Sequence, residues 1–395
     1  MAGPLSGVLV LDAATFLAAP FCATLLAEFG ATVIKIEQPG AGDSLRKLGT
    51  PSASGDSFIW MSDSRNKTSI TLDLRTPEGA ELFRKLAARA AVVVENFRPG
   101  TMDGWGIGYA ALAKLNPKLV MLSVSAYGQS GPYKDMPGFA RIAHAFSGLA
   151  LLAGEPGRPP VVPGSTSLAD YMSGLFGAIG VLMALRHADK TGEGQLVDIA
   201  LYESIFRILD ELAPAYAATG AQRERTGADI GYVVPHSHYQ TGDGAWVAIA
   251  CSNDKMWQRL MRAMGIAGDP ELATNAQRVK RRDDVNGLVG KWVGSMPLAQ
   301  VQEICTREEV PCAKLLSIAD IFADPQYRAR ENLQNVNDPR AGKLTVPAPV
   351  PRLSKTPGEI THLGPALGDG TDDIYGKMLG LSAAEIADLK QRGII

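Results

Sequence analysis

Over its first half the chain alternates short apolar runs with helix-period segments, and that alternation decides the fold class. Gly7-Val8-Leu9-Val10-Leu11-Asp12 is apolar at successive rather than alternate positions, the pattern of a strand buried on both faces. Pro20 to Phe29 follows with helical periodicity, and Gly30 suits the position just past a helix end. Ala31 to Glu37 is the next strand, closed by the turn Pro39-Gly40-Ala41-Gly42-Asp43. Ser69 to Leu74 is a third strand, and Thr76-Pro77-Glu78 then reads as N-cap, first position and acidic first turn of a helix reaching about Arg89. Ala91 to Glu95 and Leu119 to Ser125 are further strands. The pattern predicts an α/β protein with a doubly wound parallel sheet. Right-handed crossovers gather the loops at the carboxyl edge, where ligands bind.

The second half reads differently. After Asp170 comes a helix with Gly174, Gly177 and Gly180 spaced for one face, then a turn at Lys190 to Gly194 and a strand at Gln195 to Ala200. Glu203 to Ala218 is helical in pattern, and Gly220 to Gly231 reads as a polar linker. Two strands around Thr241-Gly242-Asp243-Gly244, with helical segments near 253–265 and 282–295, predict a small α+β domain. Residues 324–358 read as an extended return segment, and Ser382 with Glu385 forms a capping box opening a last short helix.

Composition narrows the function. The length, 395 residues, suits two to three domains, and a net charge of −2 gives no support to nucleic-acid binding. The best membrane candidate, Leu175 to Leu185, is shorter than the 18 or so residues a span needs. The N-terminus has no basic region of a secretory signal. Cys22, Cys251, Cys305 and Cys312 show no C-x-x-C spacing, so neither zinc nor a disulfide framework is expected. His236 and His238 would share one strand face, but no third metal ligand is suggested. These features fit a cytoplasmic enzyme, with no metal, nucleic-acid or membrane partner.

Neither a P-loop nor a G-x-G-x-x-G follows the first strand, so ATP and NAD are not supported. The first turn, Ala13 to Pro20, is either a plain connection or a place where small residues admit a ligand to backbone N–H groups. Arg75, Phe97 and Arg98 put two cations and an aromatic near one rim, suited to a phosphorylated nucleotide or to a solvated loop. Asp170 stands at a helix entry, where the helix N-terminus should hold it ionised. A carboxylate there can cap the helix or attack an electrophilic carbonyl, and the residues alone favour capping.

Pro4 to Asp12, Gly30 to Glu37 with Pro39 to Asp43, Asn66-Lys67, Val94 to Gly100, Gly128 to Pro132 and Thr191 to Asp198 resemble, in order, the blocks of the class III CoA-transferases, the formyl-CoA and carnitine CoA-transferase family. The resemblance implies exchange of CoA between an acyl-CoA and a carboxylic acid, with CoA as substrate and no tightly bound cofactor. It implies that Asp170 is the nucleophile, passing through a mixed anhydride and an aspartyl-CoA thioester. Implied CoA contacts are Phe16, Ala18, Leu72, Arg75, Asn96, Phe97 and Arg98. It further implies an interlocked homodimer with a Rossmann-like large domain at 1–204, completed by 341–395. A small α+β domain at 231–315 lies between linkers at 205–230 and 316–340. Leu17 stands where formyl-CoA transferase has Gln, Gln38 where a phosphate-binding Arg is found, and Gly104 replaces a basic residue. Phe139 and Ala140 replace a Tyr-acid pair, with Arg141 beside them, and no tetraglycine loop occurs near Thr226 to Gly231. These departures point away from oxalate and toward a larger acid, with succinyl-CoA as donor. Arg141, His236, His238 and Tyr239 are candidates for acceptor recognition. The competing readings are a 2-methylacyl-CoA racemase, which needs a His and an Asp about the α-carbon, and a CoA-ester binding protein without catalysis.

Overall fold

The computed structural model describes residues 3–395. Its chain divides into two compact units. One runs to Leu149 and is completed by Gly164–Asp210 and Ala329–Ile395; the other comprises Ala150–Pro163 and Glu211–Arg328.

The first unit is built on six parallel strands: β1 (Leu9–Asp12), β2 (Thr32–Glu37), β3 (Lys67–Thr71), β4 (Val92–Glu95), β5 (Val120–Ser125) and β6 (Leu196–Ala200). Their order is β3-β2-β1-β4-β5-β6. The order reverses between β1 and β4, so the loops leaving those strands flank the crevice where such sheets bind ligands.

Helix α1 (Ala18–Glu28) joins β1 to β2, and Gly30 follows it at φ 100°, a backbone shape that favours glycine. Helix α2 (Pro77–Ala87) starts as its sequence dictates, with the Thr76 hydroxyl accepting the Gly79 N–H. One sheet face packs Leu11, Ile34, Ile70 and Val93 against Phe83 and Leu86 of α2 and against Tyr375 and Leu389 of the C-terminal return. The other packs Val10, Val33, Val94 and Leu122 against Cys22 and Leu26 of α1. Burial on both faces explains why these strands read as continuous apolar runs. The return is pinned to β3, where Tyr375 donates its hydroxyl to the Thr71 carbonyl at 2.8 Å.

Two further helices shape the site: α3 (Ala140–Phe146) and α4 (Leu168–Thr191). The expectation from Leu175–Leu185 is corrected here. Helix α4 has 24 residues and is long and apolar enough, by length and composition, to cross a bilayer. The glycines hid its continuity, and they also explain its packing. A Cβ on Gly174 would stand 2.8 Å from the Ala18 carbonyl oxygen, and one on Gly177 or Gly180 would press on Leu122 or Val197. That face therefore lies directly on α1, β5 and β6, while Leu175, Ile179, Leu182 and Met183 are exposed on another.

The second unit holds the antiparallel strands His236–Gln240 and Trp246–Ala250, extended by Cys312–Lys314, with helices that include Asp254–Ala263 and Arg282–Gly294. Its core gathers Val247, Ile249, Trp257, Leu260 and Val289. The helical stretch read at 203–218 is two helices, Leu201–Phe206 and Leu212–Thr219, with Asp210 at φ 40° between them. The return segment is not simply extended: it carries the helix Pro325–Ala329 and a hairpin pairing Leu333–Asp338 with Gly342–Pro347.

Candidate active site

The first turn after β1 is held by side chains from two other loops. Asn96, just past β4, accepts the Thr15 N–H at 2.8 Å and donates to the Thr15 carbonyl at 2.7 Å. Asp43 accepts the next N–H, that of Phe16, at 3.0 Å. Phe16 sits at φ 61°, the left-handed region that a phenylalanine adopts only under constraint. These three bonds supply that constraint. Helix α1 then begins at Ala18 without a side-chain cap, so its first N–H groups have no partner within the helix.

Beneath this turn lies a layer of buried charge. On β2 and β3, Ile34, Ile36 and Ile70 face one side, while Lys35, Glu37, Lys67 and Ser69 face the other. Lys67 Nζ donates to Asp12 at 2.8 Å and to the Pro20 carbonyl at 2.7 Å. Lys35 Nζ lies 2.9 Å from Asp43, 3.6 Å from Asp12 and against the Ala14 carbonyl. Burial pushes the Lys35 ammonium down, but Asp12, Asp43 and Glu37 together carry it above its usual range. Lys67 lies below its usual range, because burial outweighs the pull of Asp12. Arg46 completes the layer with a two-pronged bond to Glu37, both contacts at 2.7 Å, and stacks on Trp60.

A cavity of about 440 Å³ opens beside the turn. Phe16, Leu17, Ala18, Asn96, Ser125, Phe139, Arg141 and Asp170 line it. Asp170 is its one acidic lining residue and Arg141 its one basic one. Burial pushes the Asp170 carboxyl up to about 6, only partly offset by a hydrogen bond from Ser167. That corrects the expectation of a carboxylate held low by the helix end. It also weakens the capping role, because the α4 entry is capped otherwise. His144 of α3 accepts the Ala169 N–H through Nε2 at 3.0 Å. Burial, then the Arg141 charge, keeps that imidazole below its usual range and so neutral enough to accept.

A second cavity, of about 220 Å³, is lined by Leu72, Arg75, Phe97 and Trp105, with Gln38 and Asp43. Thr15 lines both cavities. The expected CoA contacts therefore fall into two groups, Phe16, Ala18 and Asn96 by the Asp170 cavity and Leu72, Arg75 and Phe97 by the other. Arg98 joins neither. It lines a third cavity with Glu95, Asp103 and Gln129, so the single rim of two cations and an aromatic is corrected. Phe97 and Arg98 follow the end of β4 where the chain bends into a turn, closed by the Thr101 N–H donating to the Arg98 carbonyl at 3.0 Å, so sequence neighbours there need not share a cavity. Arg75 is exposed, and its guanidinium is engaged by Asp73 through bonds of 2.8 and 2.7 Å, which an incoming phosphate would have to exchange. Asn96 is first a positioning residue for the turn, as its two bonds to Thr15 show.

His236, His238 and Tyr239 belong to the other unit, where Tyr239 is buried and donates to Asn286 at 2.8 Å. Among the described residues no group of three or more His, Cys, Asp or Glu can hold a metal ion. The charged layer and the His144 cap escaped the sequence reading. The one signal was charge at alternate positions, Lys35 and Glu37, inside an otherwise apolar run.

The family model described as CoA-transferase family III matches residues 5–371. The succinyl-CoA–L-malate CoA-transferase beta subunit of Chloroflexus aurantiacus is 52% identical over 400 residues, covering 99% of this chain and 98% of that one. The succinyl-CoA–D-citramalate CoA-transferase of the same organism is 40% identical over 395 residues, covering 99% and 98%. Among solved structures, a CAIB/BAIF family protein from Brucella suis superposes with a TM-score of 0.84 at 31% identity, covering 96% of this chain and all of that one.

Proposed function

The chain belongs to CoA-transferase family III, and from that premise we propose that it moves CoA from succinyl-CoA, or a similar dicarboxylic donor, to a second carboxylic acid through covalent intermediates on Asp170. The observation that carries this reading is the placement of Asp170 as the one carboxylate lining its cavity, raised by burial yet largely ionised at neutral pH.

Asp170 attacks the donor thioester carbonyl. The carbon–sulfur bond breaks, leaving a mixed anhydride and CoA thiolate. The thiolate attacks the Asp170 carbonyl carbon, the anhydride C–O bond breaks, and the donor leaves as a free carboxylate. The acceptor carboxylate then attacks the aspartyl-CoA thioester and expels the thiolate again. Thiolate attack on the acceptor carbonyl of the new anhydride yields acceptor-CoA and restores Asp170. No net proton moves, which suits a site where the His144 imidazole is already held by the Ala169 N–H. Splitting the exchange this way replaces one hard step by several easier ones. The uncapped N–H groups at the start of α1, beside Ala18, are suited to stabilise the oxyanions.

The cavity lined by Leu72, Arg75 and Phe97 would take the nucleotide end of CoA, with Thr15 bridging to the acyl end. Names of the relatives, with succinyl, malate and citramalate in them, favour a dicarboxylic exchange. The exposed apolar stripe of α4 favours association with a second copy, interlocked as the family resemblance implies, with crossings at 205–230 and 316–340. The racemase reading lacks a partner for Asp170, because His144 spends Nε2 on the α4 entry.

Purified protein given succinyl-CoA and a panel of carboxylates is expected to form new CoA thioesters, most readily with dicarboxylates. If no acid were converted, or if an α-deuterated 2-methylacyl-CoA lost its label instead, the transferase reading would fail.

The pH dependence follows from Asp170. Its ionised form is the nucleophile, and burial raises its folded value to about 6. Donor kcat/KM is therefore expected to be full above that pH and to fall tenfold per unit below it. An inflection near 4, where an ordinary carboxylate titrates, would contradict the assignment.

A further inference from the structure

We propose that Arg141 is the carboxylate-binding arm of the acyl subsite, selecting acids that carry a second carboxylate away from the reacting one. The inference rests on the reading that Asp170 receives the acyl group.

Three observations carry it. Arg141 is the one basic residue among those lining the Asp170 cavity, whose other walls include Leu17, Val124, Phe139 and Leu201. Arg141 is exposed rather than packed into that wall, so its guanidinium is available to meet a charge that a ligand brings into the cavity. No ion pair or hydrogen bond within the described residues engages Arg141. Its neighbours in the wall include Ser125, whose buried Oγ has no partner either.

Arg141 also stands apart from the nucleophile. It lies on α3 and Asp170 on α4, and no ion pair joins the two within the described residues, although the Arg141 charge reaches His144 on its own helix. A cation held against Asp170 would quench the nucleophile. One held at a distance leaves room for a carbon chain between the reacting carbonyl and the far carboxylate. A guanidinium meets a carboxylate with two parallel bonds, so it selects by geometry as well as charge.

The exchange itself makes one arm sufficient. Donor and acceptor acids each become the acyl group on Asp170 in turn, in the same cavity. A single Arg141 therefore selects both, and the preferred donor and acceptor share their chemical class. Because the arm grips the ground state as well as the transition state, its loss is expected mainly in KM.

The test compares succinyl-CoA with butyryl-CoA as donors, and succinate with butyrate as acceptors, on wild type, Arg141→Leu and Arg141→Lys. The four-carbon pairs differ only in the far carboxylate. Arg141→Leu is expected to lower kcat/KM for the dicarboxylic substrates about tenfold to a hundredfold. It should leave the monocarboxylic ones unchanged or improved, and Arg141→Lys should fall between. An equal loss on both classes would reduce Arg141 to a structural residue, and an unchanged ratio in Arg141→Leu would remove it from substrate binding. Either result overturns the arm while leaving the transferase intact. A wild type preferring butyrate would overturn the dicarboxylate reading and the arm together.

Discussion

Replacing Asp170 with Asn or Ala is expected to lower CoA exchange by about 10⁴-fold or more, with little loss of stability. The size follows from removing the group on which every covalent step is built, where single removals in other covalent enzymes cost that much or more. Asp170→Glu keeps the carboxylate but moves it by about a bond length, and a misplacement of that order costs about 10²-fold. Stability should move the other way. The α4 entry is capped by His144 Nε2 on the Ala169 N–H, and Ser167 offers no side-chain cap, so the helix does not need the Asp170 carboxylate. Burial disfavours the ionised form, raising the group to about 6, so the folded state carries a strained anion at neutral pH. Asp170→Asn is therefore expected to melt no lower than wild type at pH 7. A catalytic group that costs stability is the usual trade at active sites. Wild type quenched during turnover with hydroxylamine should carry a hydroxamate on Asp170, seen by peptide mass, and the Asn variant should not. An Asp170→Asn enzyme that exchanged CoA within tenfold of wild type would end the covalent mechanism.

Much of this fold is legible in the chain because its signals are local. Thr76-Pro77-Glu78 sets a helix start by cap chemistry, Gly30 ends one by its left-handed backbone, and Ser382 with Glu385 opens the last, all within a few residues. The apolar runs give the parallel sheet because burial on both faces removes the alternation an exposed strand would show. What the sequence hides is contact made in space. Lys67 and Asp12 lie 55 positions apart and His144 and Ala169 lie 25, and no periodicity links either pair. The same limit applies at 150–163, which clusters with the second unit although it lies within the stretch read as the first. For the site, Asp170 was visible as a carboxylate at a helix entry. Its environment was not, because burial comes from α3, the first turn and β5, none of them neighbours in sequence. Arg98 shows the converse error. Adjacency in sequence put it beside Phe97, but the chain bends and turns there, and Arg98 lines another cavity.

The largest expected loss of stability comes from Asp12→Ala. Asp12 is fully buried at the carboxyl end of β1, with Lys67 Nζ at 2.8 Å and Lys35 Nζ at 3.6 Å, and both lysines are buried with it. Removing one partner of a buried pair leaves an uncompensated charge, which costs about 3–5 kcal/mol. The two lysines should not suffer equally. Lys35 keeps Asp43 at 2.9 Å, whereas Lys67 keeps only the Pro20 carbonyl at 2.7 Å, a dipole in place of a charge. Lys67 already lies below its usual range, so in the variant it is expected to shed its proton rather than stay buried and charged. The sign follows: a lysine neutral when folded and charged when unfolded makes the variant lose stability as pH falls. Urea unfolding of Asp12→Ala should therefore show a midpoint dropping between pH 9 and 6 faster than that of wild type. Asp12→Leu with Lys67→Met should recover part of the loss, since apolar groups of similar volume often replace a buried pair at little cost. The first turn is built on this layer through the Ala14 carbonyl and through Asp43, which holds the Phe16 N–H. Activity of Asp12→Ala under conditions where it is fully folded is thus expected to fall through the placement of Phe16 and Ala18 beside Asp170. A variant within 1 kcal/mol of wild type, with no added pH dependence, would mean that Lys35 and Asp43 carry the layer without Asp12.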